Sequence, residues 1–148
     1  MTRFVVRDGG SSPPPGKRLA GLRILLVEDD EDLGQLLQES FEREGASVER
    51  KASTEAALSV LRERLPSVVV SDVELPDRSG YDLVKELRSL PAGSDVPVLA
   101  MTGHTRAEDR KRALAAGFDA YATKPIQLDA LVRLVAEVVQ KRSAPAEA

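Results

Sequence analysis

Polar side chains suited to phosphoryl transfer follow four separate apolar runs of this 148-residue sequence. They are Glu28 and Asp29 after the first run, Asp72 after the second, Thr102 after the third and Lys124 after the fourth. Carboxylates, a hydroxyl and an ammonium gathered at one place would bind a divalent cation and a phosphoryl group. Each feature alone is more often a helix cap or a turn, but four such features on one sheet edge indicate a site.

The four apolar runs are strand-like and lie at residues 24–27, 68–71, 98–101 and 120–123, with a weaker strand around Val48. Helical periodicity follows each strand, which gives five βα units. Such alternation predicts an α/β fold, a doubly wound parallel sheet with helices on both faces. Ligands of these sheets bind at the carboxyl ends of the strands, where the polar residues above are expected to meet.

Three carboxylates at this edge would repel one another unless a cation or a proton intervened. Mg²⁺ relieves the repulsion of Glu28, Asp29 and Asp72, because it prefers oxygen ligands and is commonly held by one or two carboxylates together with phosphate oxygens. An aspartate carboxylate is also a competent nucleophile that forms aspartyl-phosphate. The sequence therefore predicts Asp72 as the nucleophile, with Lys124 and Thr102 as partners of the phosphoryl oxygens.

Composition excludes several other functions. The net charge of -3 gives no basis for nucleic-acid binding, and the absence of cysteine excludes disulfides and thiolate chemistry. A single histidine leaves little material for a histidine-based metal site. No apolar run approaches the roughly 20 residues that span a bilayer, so we expect no membrane contact and a cytoplasmic location.

The chain divides by composition into three parts. Residues 1–20 contain the Gly-, Ser- and Pro-rich stretch 9–16 and are predicted to be a flexible arm or linker. Residues 21–142 form one domain, and residues 143–148 are predicted to be a disordered tail.

Four segments closely resemble the receiver domains of two-component response regulators. They are 26–30, 71–76 with Gly80 following, 101–103 and 121–125, and the resemblance covers roughly residues 22–142. It implies a flavodoxin-like receiver fold with the strand order 2-1-3-4-5. It also implies that the protein takes a phosphoryl group from a histidine kinase or a phosphotransfer protein and catalyses only its own phosphorylation and dephosphorylation.

The resemblance assigns a role to each site residue. It implies that Asp72 is the phosphoacceptor, that Asp29 binds Mg²⁺ directly and Glu28 through water, and that the Glu74 main-chain carbonyl is a further ligand. Mn²⁺ is an alternative ion for this site. Lys124 would pair with the phosphoryl oxygens, and the bond between Lys124 and Pro125 would be cis.

The resemblance also implies a conformational switch. Thr102 would move towards the phosphoryl group and Tyr121 would follow it inwards. This movement would repack the face of the fourth helix, the fifth strand and the fifth helix, where a downstream protein partner would bind.

Two polar residues near the site have alternative interpretations. The Glu74 side chain either reaches towards the attacking water and alters the lifetime of the aspartyl-phosphate, or is a solvated loop acid. His104 either shapes access to the phosphoryl group or is an exposed surface residue.

Other functions remain alternatives at this stage. An aspartyl-phosphate-forming, Mg²⁺-dependent phosphatase is one, but such enzymes normally carry the nucleophile on the first strand. An unphosphorylated receiver-like binding module is another, although Asp72, Thr102 and Lys124 are all present. The segment before residue 24 faintly resembles the end of a histidine-kinase ATP-binding domain, which favours an origin in a hybrid histidine kinase.

Overall fold

Five β-strands form one parallel sheet in the order β2-β1-β3-β4-β5. The structure is a computed structural model that describes residues 17–103 and 106–143. The strands are β1 (Arg23–Val27), β2 (Ser47–Lys51), β3 (Val68–Asp72), β4 (Val98–Thr102) and β5 (Ala120–Thr123). The predicted fold class and the strand order implied by the resemblance are both confirmed.

Five α-helices connect or follow the strands. They are α1 (Glu31–Arg43), α2 (Thr54–Glu63), α3 (Gly80–Ser89), α4 (Ala107–Ala116) and α5 (Leu128–Ser143), and a short 3₁₀ turn (Gly93–Asp95) precedes β4. Helices α2, α3 and α4 pack on one face of the sheet, and α1 and α5 pack on the other. No helix among the described residues has the length and apolarity needed to cross a membrane.

The central strands are buried on both faces because helices cover both sides of the sheet. Every residue of β3 and β4 is buried. Along β1, Leu25 packs with the α2 and α3 side and Leu26 packs with the α1 and α5 side, as the two-residue period of a strand requires. This continuous burial explains why the strands appear in the sequence as unbroken apolar runs.

The described part of the chain begins at residue 17, and residues 17–20, which are predicted from the sequence to belong to the arm, contact α1 and α5. Leu19 is fully buried with Leu37 and Phe41 of α1, and its N–H donates to the Glu44 carbonyl at 2.8 Å. The Arg18 guanidinium contacts the Glu44 carboxylate at 2.9 Å and Asp129 of α5 at 2.8 Å. Residues 1–16 lie outside the described part of the chain.

A network centred on Arg88 and Asp119 joins the ends of several elements at the amino edge of the sheet. Arg88 donates to the carbonyls of Gly93, Val96 and Gly117 and to the Asp119 carboxylate. Asp119 also accepts the N–H of Val98, the first residue of β4, at 2.8 Å. Arg142, near the end of α5, donates to Asp119 at 2.9 Å.

Candidate functional site

Three carboxylates meet where β1 and β3 end. The pairing of Val27 with Ser71 in the parallel register places Glu28 and Asp72 side by side, each at the first position after this pair. Glu28, Asp29 and Asp72 each offer an oxygen, and these oxygens lie within 4.8 Å of one another. Glu28 and Asp72 are 2% and 5% exposed, whereas Asp29 is open to solvent. The site therefore has two buried acids and one accessible from outside.

The Lys124 ammonium lies against the two buried acids. Its Nζ donates to Asp72 Oδ2 at 2.9 Å and lies 3.2 Å from Glu28 Oε1. Burial lowers the pKa of Lys124, but the hydrogen bond to Asp72 and the charges of Asp72 and Glu28 outweigh it and raise the pKa above its ordinary value. Lys124 is therefore fully charged at neutral pH.

The backbone around Lys124 fixes where its side chain starts. The Lys124 N–H donates to the carbonyl of Thr102 at 2.8 Å, which continues the pairing of β4 with β5. The bond between Lys124 and Pro125 is cis, as the resemblance implies. The side chain consequently leaves the carboxyl edge of β5 and crosses β4 to reach the end of β3.

The surroundings of the buried Glu28 carboxylate disfavour its charged form. Burial raises the pKa of Glu28, and the nearby charge of Asp72 raises it further; the Asp30 N–H and Lys124 oppose both effects. Glu28 Oε2 accepts the Asp30 N–H at 3.1 Å, but Oε1 is buried and accepts no hydrogen bond among the described residues. A hard divalent cation fits this donor set, because it would supply positive charge to two buried carboxylates that share a single ammonium.

The loop after β3 orients the Asp72 carboxylate from the other side. The Glu74 N–H donates to Asp72 Oδ1 at 3.0 Å, so each carboxylate oxygen has one donor. Gly80 begins α3 directly above this strand end: a Cβ added there would lie 2.5 Å from the Asp72 carbonyl. Glycine is required at residue 80 because no side chain fits between α3 and the end of β3.

Thr102 and Tyr121, the two predicted switch residues, lie on the neighbouring strands β4 and β5. Thr102 is 3% exposed at the last position of β4. The Tyr121 hydroxyl is already withdrawn from solvent and has no hydrogen-bond partner among the described residues, and the Arg110 guanidinium lies 5.5 Å from the ring centre. Burial raises the pKa of Tyr121, and the charge of Asp109 adds to the effect.

The structure describes one of the two possible modulators named from the sequence. Glu74 is exposed on the loop after β3, where its main chain contacts Asp72. His104 lies outside the described residues.

One contact near the site has no signal in the sequence. The Asp77 carboxylate accepts the N–H groups of Thr54 and Glu55, the first residues of α2, both at 2.9 Å. These partners are more than 20 residues away along the chain. Only the packing of α2 beside α3 brings them together, so no local motif reveals them.

Comparison with known proteins agrees with this geometry. Residues 24–136 match the family described as "Response regulator receiver domain". The chain is 44% identical over 117 residues to an uncharacterized 14.6 kDa protein from Leptolyngbya boryana, covering 79% of this chain and 89% of that protein. It is 38% identical to the uncharacterized transcriptional regulatory protein YrkP of Bacillus subtilis, covering 78% of this chain and only 49% of YrkP. The chain thus spans about half the length of several relatives described as transcriptional regulators.

Solved structures show the same fold. One is the receiver domain of the sensor histidine kinase PA1611 from Pseudomonas aeruginosa, which holds a magnesium ion in its active-site cleft. It is 28% identical and superposes with a TM-score of 0.75, covering 81% of this chain and 98% of that domain.

Proposed function

Because the chain belongs to the response regulator receiver domain family of two-component signalling, we propose that it accepts a phosphoryl group on Asp72 in a Mg²⁺-dependent reaction. The observation that carries the proposal is the contact of the Lys124 ammonium with Asp72 at 2.9 Å, beside two further carboxylates. An ammonium, a carboxylate nucleophile and a cation site at one strand end are the parts that phosphoryl transfer to an aspartate needs.

The donor is a histidine kinase or a phosphotransfer protein carrying phosphohistidine. One Asp72 oxygen forms a bond to phosphorus while the bond from phosphorus to the imidazole nitrogen breaks, and the electron pair returns to the imidazole. Lys124 stays close to the reacting carboxylate and neutralises the phosphoryl oxygens. The Glu74 N–H holds the second Asp72 oxygen, so the carboxylate cannot rotate freely.

The metal would be held by Asp29 and Asp72, by Glu28 through water and by the Glu74 carbonyl, with Mn²⁺ able to replace Mg²⁺. Bound there, the ion would neutralise the carboxylates and the equatorial phosphoryl oxygens. Asp29 is the accessible member of the cluster and so the entry point for a hydrated ion. The burial of Glu28 and its raised pKa support this assignment, since a bound cation would favour the charged form that burial disfavours.

The output is a change of surface rather than turnover of an external substrate. Thr102 and Tyr121 are the switch residues, and the face of α4, β5 and α5 is where a downstream protein binds. The chain acts in the cytoplasm, either as a regulator or as a module of a hybrid histidine kinase.

The direct test is incubation of the protein with acetyl phosphate, read by intact mass. With Mg²⁺ the protein is expected to gain one phosphoryl group, and peptide mapping should locate it on Asp72. Excess EDTA should remove the gain, because the carboxylate cluster then lacks the charge that permits an anionic donor to approach. Labelling that is insensitive to EDTA would contradict the metal requirement, and no labelling in either condition would contradict the phosphoacceptor role.

Exchange of Lys124 for alanine is expected to keep Mg²⁺ binding but to remove most of the conformational response. The ammonium competes with the ion for Asp72 and Glu28, so its loss leaves the metal dissociation constant unchanged or lower. The response to beryllofluoride with Mg²⁺, read by tyrosine fluorescence in this tryptophan-free chain, should be largely lost.

Lys85→Ala is the control for this comparison, because Lys85 is exposed on α3. It should bind Mg²⁺ and respond to beryllofluoride as the wild type does. Weaker Mg²⁺ binding by Lys124→Ala would show that the lysine organises the cluster instead of competing with the ion.

A further inference from the structure

The loop between β3 and α3 is attached to a third element, α2, by two side chains. The Asp77 carboxylate accepts the Thr54 and Glu55 N–H groups, one with each oxygen, at 2.9 Å. In return, the buried Thr54 hydroxyl donates to the carbonyl of Arg78 at 2.9 Å. The loop is therefore clamped by a charged cap and by a buried hydroxyl.

Helix α2 is already capped without the hydrogen bonds to Asp77. Ser53 already caps the helix, since its hydroxyl accepts the Ala56 N–H at 3.2 Å. The Asp77 carboxylate satisfies two further N–H groups of the first turn, and the favourable end of the helix dipole holds it as an anion. The hydrogen bond from the Glu55 N–H is the main reason why the pKa of Asp77 lies below its ordinary value.

Few residues separate Asp77 from the phosphoacceptor Asp72, and their backbone conformations are restricted. Only Leu75 and Pro76 separate Asp77 from Glu74, and proline restricts both its own φ and the residue before it. The Glu74 N–H holds Asp72 Oδ1 at 3.0 Å. The loop is closed by the Gly80 N–H, which donates to the Val73 carbonyl at 2.7 Å. A shift at Asp77 thus displaces the residue that contacts Asp72.

We propose that Asp77 is a positioning residue for the metal and phosphoryl site, acting by holding the loop of residues 73–79 against the amino end of α2. The inference rests on the proposed function, because the Glu74 carbonyl matters only if a metal binds there. It assigns to α2 a supporting role in a site whose other residues come from the ends of β1, β3, β4 and β5.

The test compares Asp77→Ala with Ser53→Ala by Mg²⁺ titration calorimetry and urea unfolding of the full chain. Both variants lose capping of α2, so both should be less stable than the wild type. Only Asp77→Ala should raise the Mg²⁺ dissociation constant, by about tenfold, the lower end of the loss typical when groups that orient metal ligands are removed. Ser53→Ala should stay within about twofold of the wild type.

A conservative variant distinguishes a positioning role of Asp77 from an electrostatic effect of its charge. Asp77→Asn removes the negative charge but retains one acceptor oxygen for the α2 N–H groups. A positioning role predicts an affinity for Mg²⁺ between those of the wild type and Asp77→Ala, whereas a purely electrostatic role predicts that Asn and Ala are equal. Exchange of the Glu74 amide proton gives a readout without metal: it should become faster in Asp77→Ala and not in Ser53→Ala.

The outcomes distinguish this inference from the proposed function. If the wild type binds no Mg²⁺, the proposed function fails. If the wild type binds Mg²⁺ and Asp77→Ala binds it equally well with an equally protected Glu74 amide, the positioning role alone is overturned. Equal losses of affinity in Asp77→Ala and Ser53→Ala would also overturn it, because general fraying of α2 would then explain the effect.

Discussion

Exchange of Asp72 for asparagine is expected to abolish the gain of a phosphoryl group from acetyl phosphate while leaving the fold intact. The amide is not a nucleophile of comparable strength, and it replaces the carboxylate that accepts hydrogen bonds from the Lys124 ammonium and the Glu74 N–H. Glu28 is the nearest alternative, but burial raises its pKa and so favours its protonated form, which is a poor nucleophile.

The fold should tolerate this change for electrostatic reasons. Asparagine has the shape of aspartate and keeps an oxygen for the Lys124 ammonium, which also retains Glu28 at 3.2 Å. The repulsion between Asp72 and Glu28 disappears, which offsets the lost ion pair. We therefore expect the free energy of unfolding to change by no more than about 1 kcal/mol.

Intact mass spectrometry after incubation with acetyl phosphate and Mg²⁺ measures the effect, with circular dichroism to verify the fold. Asp95→Asn is a matched control, because Asp95 is exposed in the 3₁₀ turn before β4, and it should be labelled as the wild type is. Equal labelling of wild type and Asp72→Asn would show that another residue is the acceptor.

Exchange of Asp119 for alanine is expected to lower the free energy of unfolding by about 3 kcal/mol, the largest stability effect that we predict. The carboxylate accepts hydrogen bonds from Arg88, Arg142 and the Val98 N–H. The Arg88 side chain is only 18% exposed, and burial lowers its pKa while the charge of Asp119 opposes this effect. Without Asp119, the largely buried Arg88 cation would lose the carboxylate that neutralises it, and the Val98 N–H would lose its acceptor.

Urea unfolding followed by circular dichroism measures this loss, and thermal unfolding should show a decrease in Tm of roughly 6–12 °C. Asp129→Ala is the control, since Asp129 also pairs with arginines but is 66% exposed, and its loss should cost less than about 1 kcal/mol. Similar losses in the two variants would mean that burial does not set the strength of these ion pairs.

The sequence reveals the carboxylate site because each strand displays its end as a change from apolar to polar residues. The runs that end at Asp72 and Thr102 are buried throughout in the structure, and Ser71 is the only polar residue that precedes the end of either run. A parallel sheet then gathers these ends at one edge without further information. The β-strands and the cluster of acids are predictable for this physical reason.

Contacts set by tertiary packing could not be predicted in this way. The capping of α2 by Asp77 and the bonds of Arg88 to distant carbonyls depend on how helices lie beside one another. In the sequence, Thr105 and Glu108 suggest a capping box for α4, but Thr105 lies outside the described residues, and α4 begins at Ala107. Leu19 follows a Gly- and Pro-rich stretch in the sequence, whereas in the structure it is buried against Leu37 and Phe41 of α1.

The network of Arg88 and Asp119 restrains the amino edge of the sheet and leaves the carboxyl edge without the same restraint. Its hydrogen bonds connect the starts of β4 and β5 to the surrounding turns. The phosphoacceptor and its partners lie at the opposite, carboxyl edge of the sheet. A conformational change at the carboxyl edge therefore acts on strands whose amino-terminal ends are held in place. Displacement should increase towards the carboxyl ends of β4 and β5 and should be largest at Thr102 and Thr123.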